Sequence, residues 1–90
     1  YSITNFPNPF NPTTKIYFNL PKSGNVKIEI YNSAGQKVRE LLNEFKNPGN
    51  YVNEFNGSDL SSGIYYYKIE VVSIGEARSF VQTKRMVLLK

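Results

Sequence analysis

The stretch "KVRELLNEF", residues 37–45, decides whether this chain is built wholly from strands or carries a helix. Val38, Leu41, Leu42 and Phe45 fall at i, i+3, i+4 and i+7, the apolar spacing of one helix face, and good helix formers stand between them. Simple alternation fits the segment only in part. A strand with a bulge would also bring Val38 and one leucine inward. Periodicity therefore favours a short helix here and leaves a bulged strand open.

The flanking segments alternate cleanly. "KIYFNL", residues 15–20, sets Ile16, Phe18 and Leu20 against Lys15, Tyr17 and Asn19, and "VKIEIY", residues 26–31, sets Val26, Ile28 and Ile30 against Lys27, Glu29 and Tyr31. The turn residues of "PKSGN" join them as a hairpin, and "NSAGQ" makes the next turn, with Gly35 available for positive φ. After the "KNPGN" turn, "YVNEFNG" presents Tyr51, Asn53 and Phe55 to one side and Val52 and Glu54 to the other. "IYYYKIEVV", residues 64–72, has the strongest strand composition, with Tyr65, Tyr67, Ile69 and Val71 on one face and Ile64, Tyr66, Lys68 and Glu70 on the other. "SIGEA" gives a last turn, and "RSFVQTKRMVLLK" a last strand with Val81, Thr83, Val87 and Leu89 on one side. Six or seven short strands with turn signals about every ten residues predict a small antiparallel sandwich.

Ahead of these strands stands "NFPNPFNPTTKI", residues 5–16. Proline fixes φ, lacks an N–H and steers Phe6, Asn8 and Asn11 before it toward extended geometry. Neither a helix nor a central strand fits. A stiff extended lead-in remains, whose asparagines bond nearby backbone and whose Phe6 and Phe10 need an apolar surface.

Ninety residues make one domain with a modest core. The chain has seven Tyr and six Phe but no Trp, Cys or His, so there is no imidazole base, thiol nucleophile, Cys/His zinc site or disulfide framework. Most hydrolase and redox mechanisms are thereby removed, and no cofactor is expected. The net charge of +4 is spread evenly, with five basic and three acidic groups in residues 1–45 and six and four in residues 46–90. A nucleic-acid binder concentrates its charge, and Lys84 and Arg85 in "TKRMVLLK" point to opposite faces of an alternating strand, so nucleic acid is not an expected partner. No apolar run reaches the roughly 18 residues of a membrane span. The first residue is Tyr1 rather than Met, which suggests a processed product or a piece of a longer polypeptide.

"NGSDLSSG", residues 56–63, gathers oxygen atoms, and Asn56, Asp59 and Ser61 can be drawn as a calcium site. With one carboxylate it reads better as an Asx or Ser turn. Tyr17, Tyr31 and Tyr66 should face outward, as a glycan platform or as ordinary strand residues. Glu40 and Glu44 share a segment, but nothing orients them around a bond to be cleaved.

"NFPNPFNPTTKIYFNLP", "VKIEIYNSAGQKVREL", "GNYVNEFNGSDLSSGIYYYKI" and "FVQTKRMVLLK", in that order, resemble the type A C-terminal sorting domain of type IX secretion. That family is related in fold to the immunoglobulin-like domain of flagellar hook-capping proteins and stands at the C-terminus of secreted proteins of Bacteroidetes and related bacteria. The resemblance implies an all-β, immunoglobulin-like antiparallel sandwich of about seven strands, a single domain over residues 1–90 with a lead-in at 1–12 and the sandwich at 13–90, and a strand rather than a helix in "QKVRELL". It places the family's Pro-Asn-Pro element on Pro7, Asn8 and Pro9, its Gly-X-Tyr signature on Gly63 and Tyr65, and its terminal basic strand on Lys84 and Lys90. The lead-in would then lie along the sandwich as an extended edge segment anchored by Phe6 and Phe10, its prolines blocking further pairing.

Gly63 and Tyr65 also have a structural reading, as a positive-φ position and a core ring, whereas Lys84 and Lys90 are better placed to touch a receptor. The implied function is a non-catalytic secretion signal, fused behind a cargo protein, recognised by the outer-membrane translocon after export to the periplasm and removed by a sortase in many relatives. The cargo would end secreted or at the cell surface. A carbohydrate-binding module or a structural spacer of a surface enzyme is the alternative.

Overall fold

The computed structural model describes residues 1–73, 75 and 79–90. Its regular elements among these are seven strands: β1 (Ser2–Phe6), β2 (Thr13–Leu20), β3 (Gly24–Asn32), β4 (Lys37–Lys46), β5 (Gly49–Asn56), β6 (Gly63–Val72) and β7 (Phe80–Leu88). They form two antiparallel sheets, one in the order β1-β2-β5 and one in the order β4-β3-β6-β7. The immunoglobulin constant-type sandwich puts its fourth strand beside the fifth; here the fourth pairs with the third instead.

Residues 37–45 are extended, so the helical spacing is overruled, and the reason lies in the register. Pairing of β3 with β4 steps from Ile28↔Leu42 to Glu29↔Glu40 and from Ile30↔Arg39 to Tyr31↔Lys37, leaving Leu41 and Val38 without opposite residues. Each unpaired residue adds one position to β4, and two such bulges stretch a period of two into an apparent period between three and four. Leu42 is buried and Val38 and Leu41 pack on the core, while Phe45 is 53% exposed.

Elsewhere alternation places the core. Ile16, Phe18 and Leu20 from β2, Val26, Ile28 and Ile30 from β3, and Tyr65, Tyr67, Ile69 and Val71 from β6 are all buried between the sheets. Burying one such side chain is worth about 1.5–3 kcal/mol, so these three strands carry most of the stabilisation. Phe55 joins them from β5, and Tyr51 stacks on Phe18 with ring centroids 5.3 Å apart.

β7 has the opposite parity to the one its apolar residues suggest. Tyr65 faces Met86 and Gly63 faces Leu88 across the ladder, so Met86 and Leu88 are buried, whereas Val81 and Leu89 are about half exposed. The turn expected in "SIGEA" lies outside the described residues at positions 74, 76 and 77, as does Arg78 at the expected start of the last strand.

The lead-in splits in two. Residues 2–6 pair with β2 as the edge strand of the smaller sheet, with Ile3 and Asn5 buried. Phe6, opposite Lys15, therefore alternates outward and is 71% exposed. It does not anchor the segment. Phe10 does: it is buried, edge-on to Phe55 at 5.9 Å.

Candidate functional site

The register carries the sequence's distinctive segments to one pole of the sandwich. Phe6↔Lys15, Thr13↔Asn56, Asn32↔Tyr65 and Gly63↔Leu88 lie at the same end. The 7–12 loop, the 33–36 turn, the 57–62 loop and the end of β7 thus converge, while Ser2, opposite Asn19, lies toward the other pole. The longest dimension of the molecule is 42 Å.

At this pole the Pro-Asn-Pro-Phe run acts as a substitute strand on the outer edge of β7. A proline has no N–H to give, and the Asn8 side chain supplies both a donor and an acceptor in its place. Val87 N–H donates to Asn8 Oδ1 at 3.0 Å, and Asn8 Nδ2 donates to the Arg85 carbonyl and to Asn5 Oδ1, each at 3.3 Å. Two residues on, Phe10 N–H donates to the Val87 carbonyl and Leu89 N–H to the Phe10 carbonyl, both at 2.9 Å. Thr14 Oγ1 donates to the Pro7 carbonyl at 2.8 Å and receives Asn5 Nδ2 at 3.2 Å, which fixes the turn from β1. Pro7, Asn8 and Pro9 are all exposed.

The 56–63 segment docks against this run. Gly57 N–H donates to the Pro12 carbonyl at 2.9 Å, and a Cβ on Gly57 would stand 3.2 Å from Leu88 Cδ2 and 3.5 Å from the Phe10 ring, so a larger residue would push Leu88 aside by a few tenths of an ångström. Ser58 N–H donates to Asn56 Oδ1 at 2.9 Å, an Asx turn. Tyr65 OH donates to the Ser61 carbonyl at 2.7 Å, the tyrosine corner of immunoglobulin-like sandwiches. Gly63, at φ 156°, would have open space around a Cβ, with no atom within 4 Å, so backbone conformation rather than crowding suits it to glycine.

Charge closes the pole. Arg39 reaches across with both Nη2 contacts on Asp59, at 2.8 and 2.9 Å, and its guanidinium lies 5.6 Å from the Phe55 ring. The Arg39 hydrogen bond, first among the causes, holds the Asp59 carboxyl below the ordinary aspartate range. Lys90 donates its N–H to Ser62 Oγ at 3.0 Å and its Nζ to the Ser58 carbonyl.

Of the expected site residues, Pro7, Asn8, Pro9, Gly63, Tyr65 and Lys90 share the pole. Lys84 does not: it lies on the side of the sandwich, exposed, opposite Tyr67 on β6. Asn5, Thr14, Arg39 and Gly57 belong to the assembly and escape sequence reading, although "NG" after an alternating strand signals Gly57. Two of the three residues drawn as a calcium site have engaged side chains, Asn56 Oδ1 by Ser58 and Asp59 by Arg39, and among the described residues no cluster of three acidic, His or Cys side chains converges. Of the outward tyrosines, Tyr31 is covered, with Lys68 Nζ 5.2 Å from its ring and its hydroxyl donating to Glu29 Oε1 at 2.9 Å. Burial pushes the Glu29 carboxyl up, but hydrogen bonds from Tyr31 and Lys37 and the nearby lysine charges outweigh it and hold it low.

The sandwich thus gathers the 7–12 loop, the 57–62 loop and the end of β7 at one surface pole. The chain belongs to the family described as the secretion system C-terminal sorting domain, whose model matches residues 4–86, from β1 into β7. Domains of this family are sorting signals for type IX secretion. No curated protein and no solved structure matches the chain.

Proposed function

We propose that the pole built by the 7–12 loop, the 57–62 loop and Lys90 is the face read by the type IX outer-membrane translocon, with a cargo joined ahead of Tyr1 held at the far end. The observation that carries this reading is the convergence of the 7–12 loop, the 57–62 loop and the end of β7 on one pole while β1 begins toward the other. Pro7, Asn8, Gly63 and Tyr65 shape the pole, and Pro9 and Lys90 present themselves on it. Lys84 is a second contact, on the side. The domain itself carries out no chemistry. Its cargo passes through the periplasm to the cell surface or the medium, and a sortase acts on the exported protein.

The test is a periplasmically exported fluorescent protein fused ahead of residues 1–90 in a host with type IX machinery. The wild-type fusion crosses the outer membrane, and Lys84→Glu with Lys90→Glu leaves it in the periplasm, folded, because exposed substitutions change stability little. Lys90→Glu alone does the same, which assigns the effect to the pole. Normal export of a folded Lys90→Glu fusion would remove the pole from the reading.

A further inference from the structure

β7 is the edge strand of the larger sheet, and its outer edge is only half used. Its pairing with β6 is unbroken from Phe80 to Leu88, so backbone groups alternate strictly and the odd-numbered residues face outward. Asn8 and Phe10 satisfy the Arg85 carbonyl, both Val87 groups and the Leu89 N–H. The N–H and C=O of Val81 and Thr83 and the N–H of Arg85 face the same way, and no described residue bonds them. Asn8 bounds this stretch at one end, and the Tyr1 ring, stacked on Phe80 at 4.3 Å, bounds it at the other.

Side-chain chemistry selects what could add there. Strand β7 carries Lys84 and Arg85 and no acidic residue, and no described side chain pairs with either cation. They flank the free edge on its two faces. Lys84 shares its side of the sheet with buried Tyr67 and Met86, yet it is exposed. An inward-pointing lysine on an edge strand repels apolar strands, and a second copy of β7 would set cation against cation. A strand with acidic residues meets favourable pairs instead.

We propose that residues 81–85 form a strand-addition site for an extended, acidic segment of a partner protein, continuing the parallel ladder that Asn8 and Phe10 begin. The chain's own segment demonstrates the geometry, since Phe10 bridges Leu88 in parallel. Main-chain hydrogen bonds would supply affinity, and Lys84 and Arg85 the selection.

The probes are two blocked hexapeptides, one alternating Glu and Val and one alternating Lys and Val, titrated into residues 1–90 while backbone amide resonances are followed. The acidic peptide shifts the Val81, Thr83 and Arg85 amides saturably, and the basic peptide binds about tenfold more weakly or not at all. Thr83→Pro removes an outward N–H that makes no bond to β6, a position where an edge strand accepts proline, so the domain stays folded and the response is lost. Lys84→Glu, which leaves the backbone intact, moves the preference toward the basic peptide. The proposal is overturned if the acidic peptide produces no saturable shift at these amides, if folded Thr83→Pro responds like the wild type, or if Lys84→Glu leaves the preference unchanged. The assay contains no secretion apparatus, so its outcome is separate from that of the export experiment.

Discussion

Asn8 ties residues far apart in sequence, since its one amide touches Asn5, Arg85 and Val87. Asn8→Ala removes these bonds from an exposed site where water replaces them, so it should cost about 1–2 kcal/mol in denaturant unfolding. Equal stability of Asn8→Ala and wild type would mean that the asparagine does not hold the β7 edge. Tyr67 sets a different test. Burial pushes its hydroxyl up to about 12. An acid whose pKa is raised by folding contributes stability in full below the unfolded pKa, near 10, and loses it as pH rises toward the folded value. Stability should therefore fall by up to about 1.4 kcal/mol per pH unit between roughly pH 10 and 12, and Tyr67→Phe should remove that share of the decline. Tyr67 was legible from alternation alone, because β6 has no bulge. Phe6 was not: its composition asks for burial, and only the β1–β2 register turns it outward.

At the scale of elements, β4 is where sequence reading meets its limit. The inward positions of Val38, Leu41 and Leu42 reflect two bulges, with Phe45 beyond them at outward parity, and a bulge is a relation between two strands that a single-strand pattern does not contain. Alternation located β2, β3, β5 and β6 because each is regular and half-buried, with one face on the core. β7 was located but inverted, because its outer side carries Val81, Val87 and Leu89, as apolar as its inner Met86 and Leu88. Truncations separate the geometries: Leu42→Ala should cost about 2–4 kcal/mol and Phe45→Ala less than about 1 kcal/mol. A helix would bury both side chains, so comparable losses at the two positions would contradict the bulged strand.

Across the whole molecule, the distinctive segments of the sequence are mainly instructions for one pole. The resemblance named Pro7, Asn8, Pro9, Gly63, Tyr65, Lys84 and Lys90, and all but Lys84 sit there. Of the partners that hold them, Gly57 is signalled by its "NG" dipeptide and Arg39 is not legible, because it acts on Asp59 across a contact between segments distant in sequence, while Asn5 and Thr14 bond Pro7 and Asn8 nearby in the chain through side-chain contacts that no periodicity encodes. On the proposed reading, the secretion machinery recognises this pole and not the domain's charge in general. The most direct measurement compares two charge reversals at opposite ends of the fused domain: Lys90→Glu at the pole, and Lys46→Glu near the far end, where Lys46 pairs with Glu44 and lies over Tyr51. With both domains folded, the fraction of reporter outside the cell should collapse for Lys90→Glu and stay at the wild-type level for Lys46→Glu. Equal export of the two, or loss of both alike, would contradict the claim.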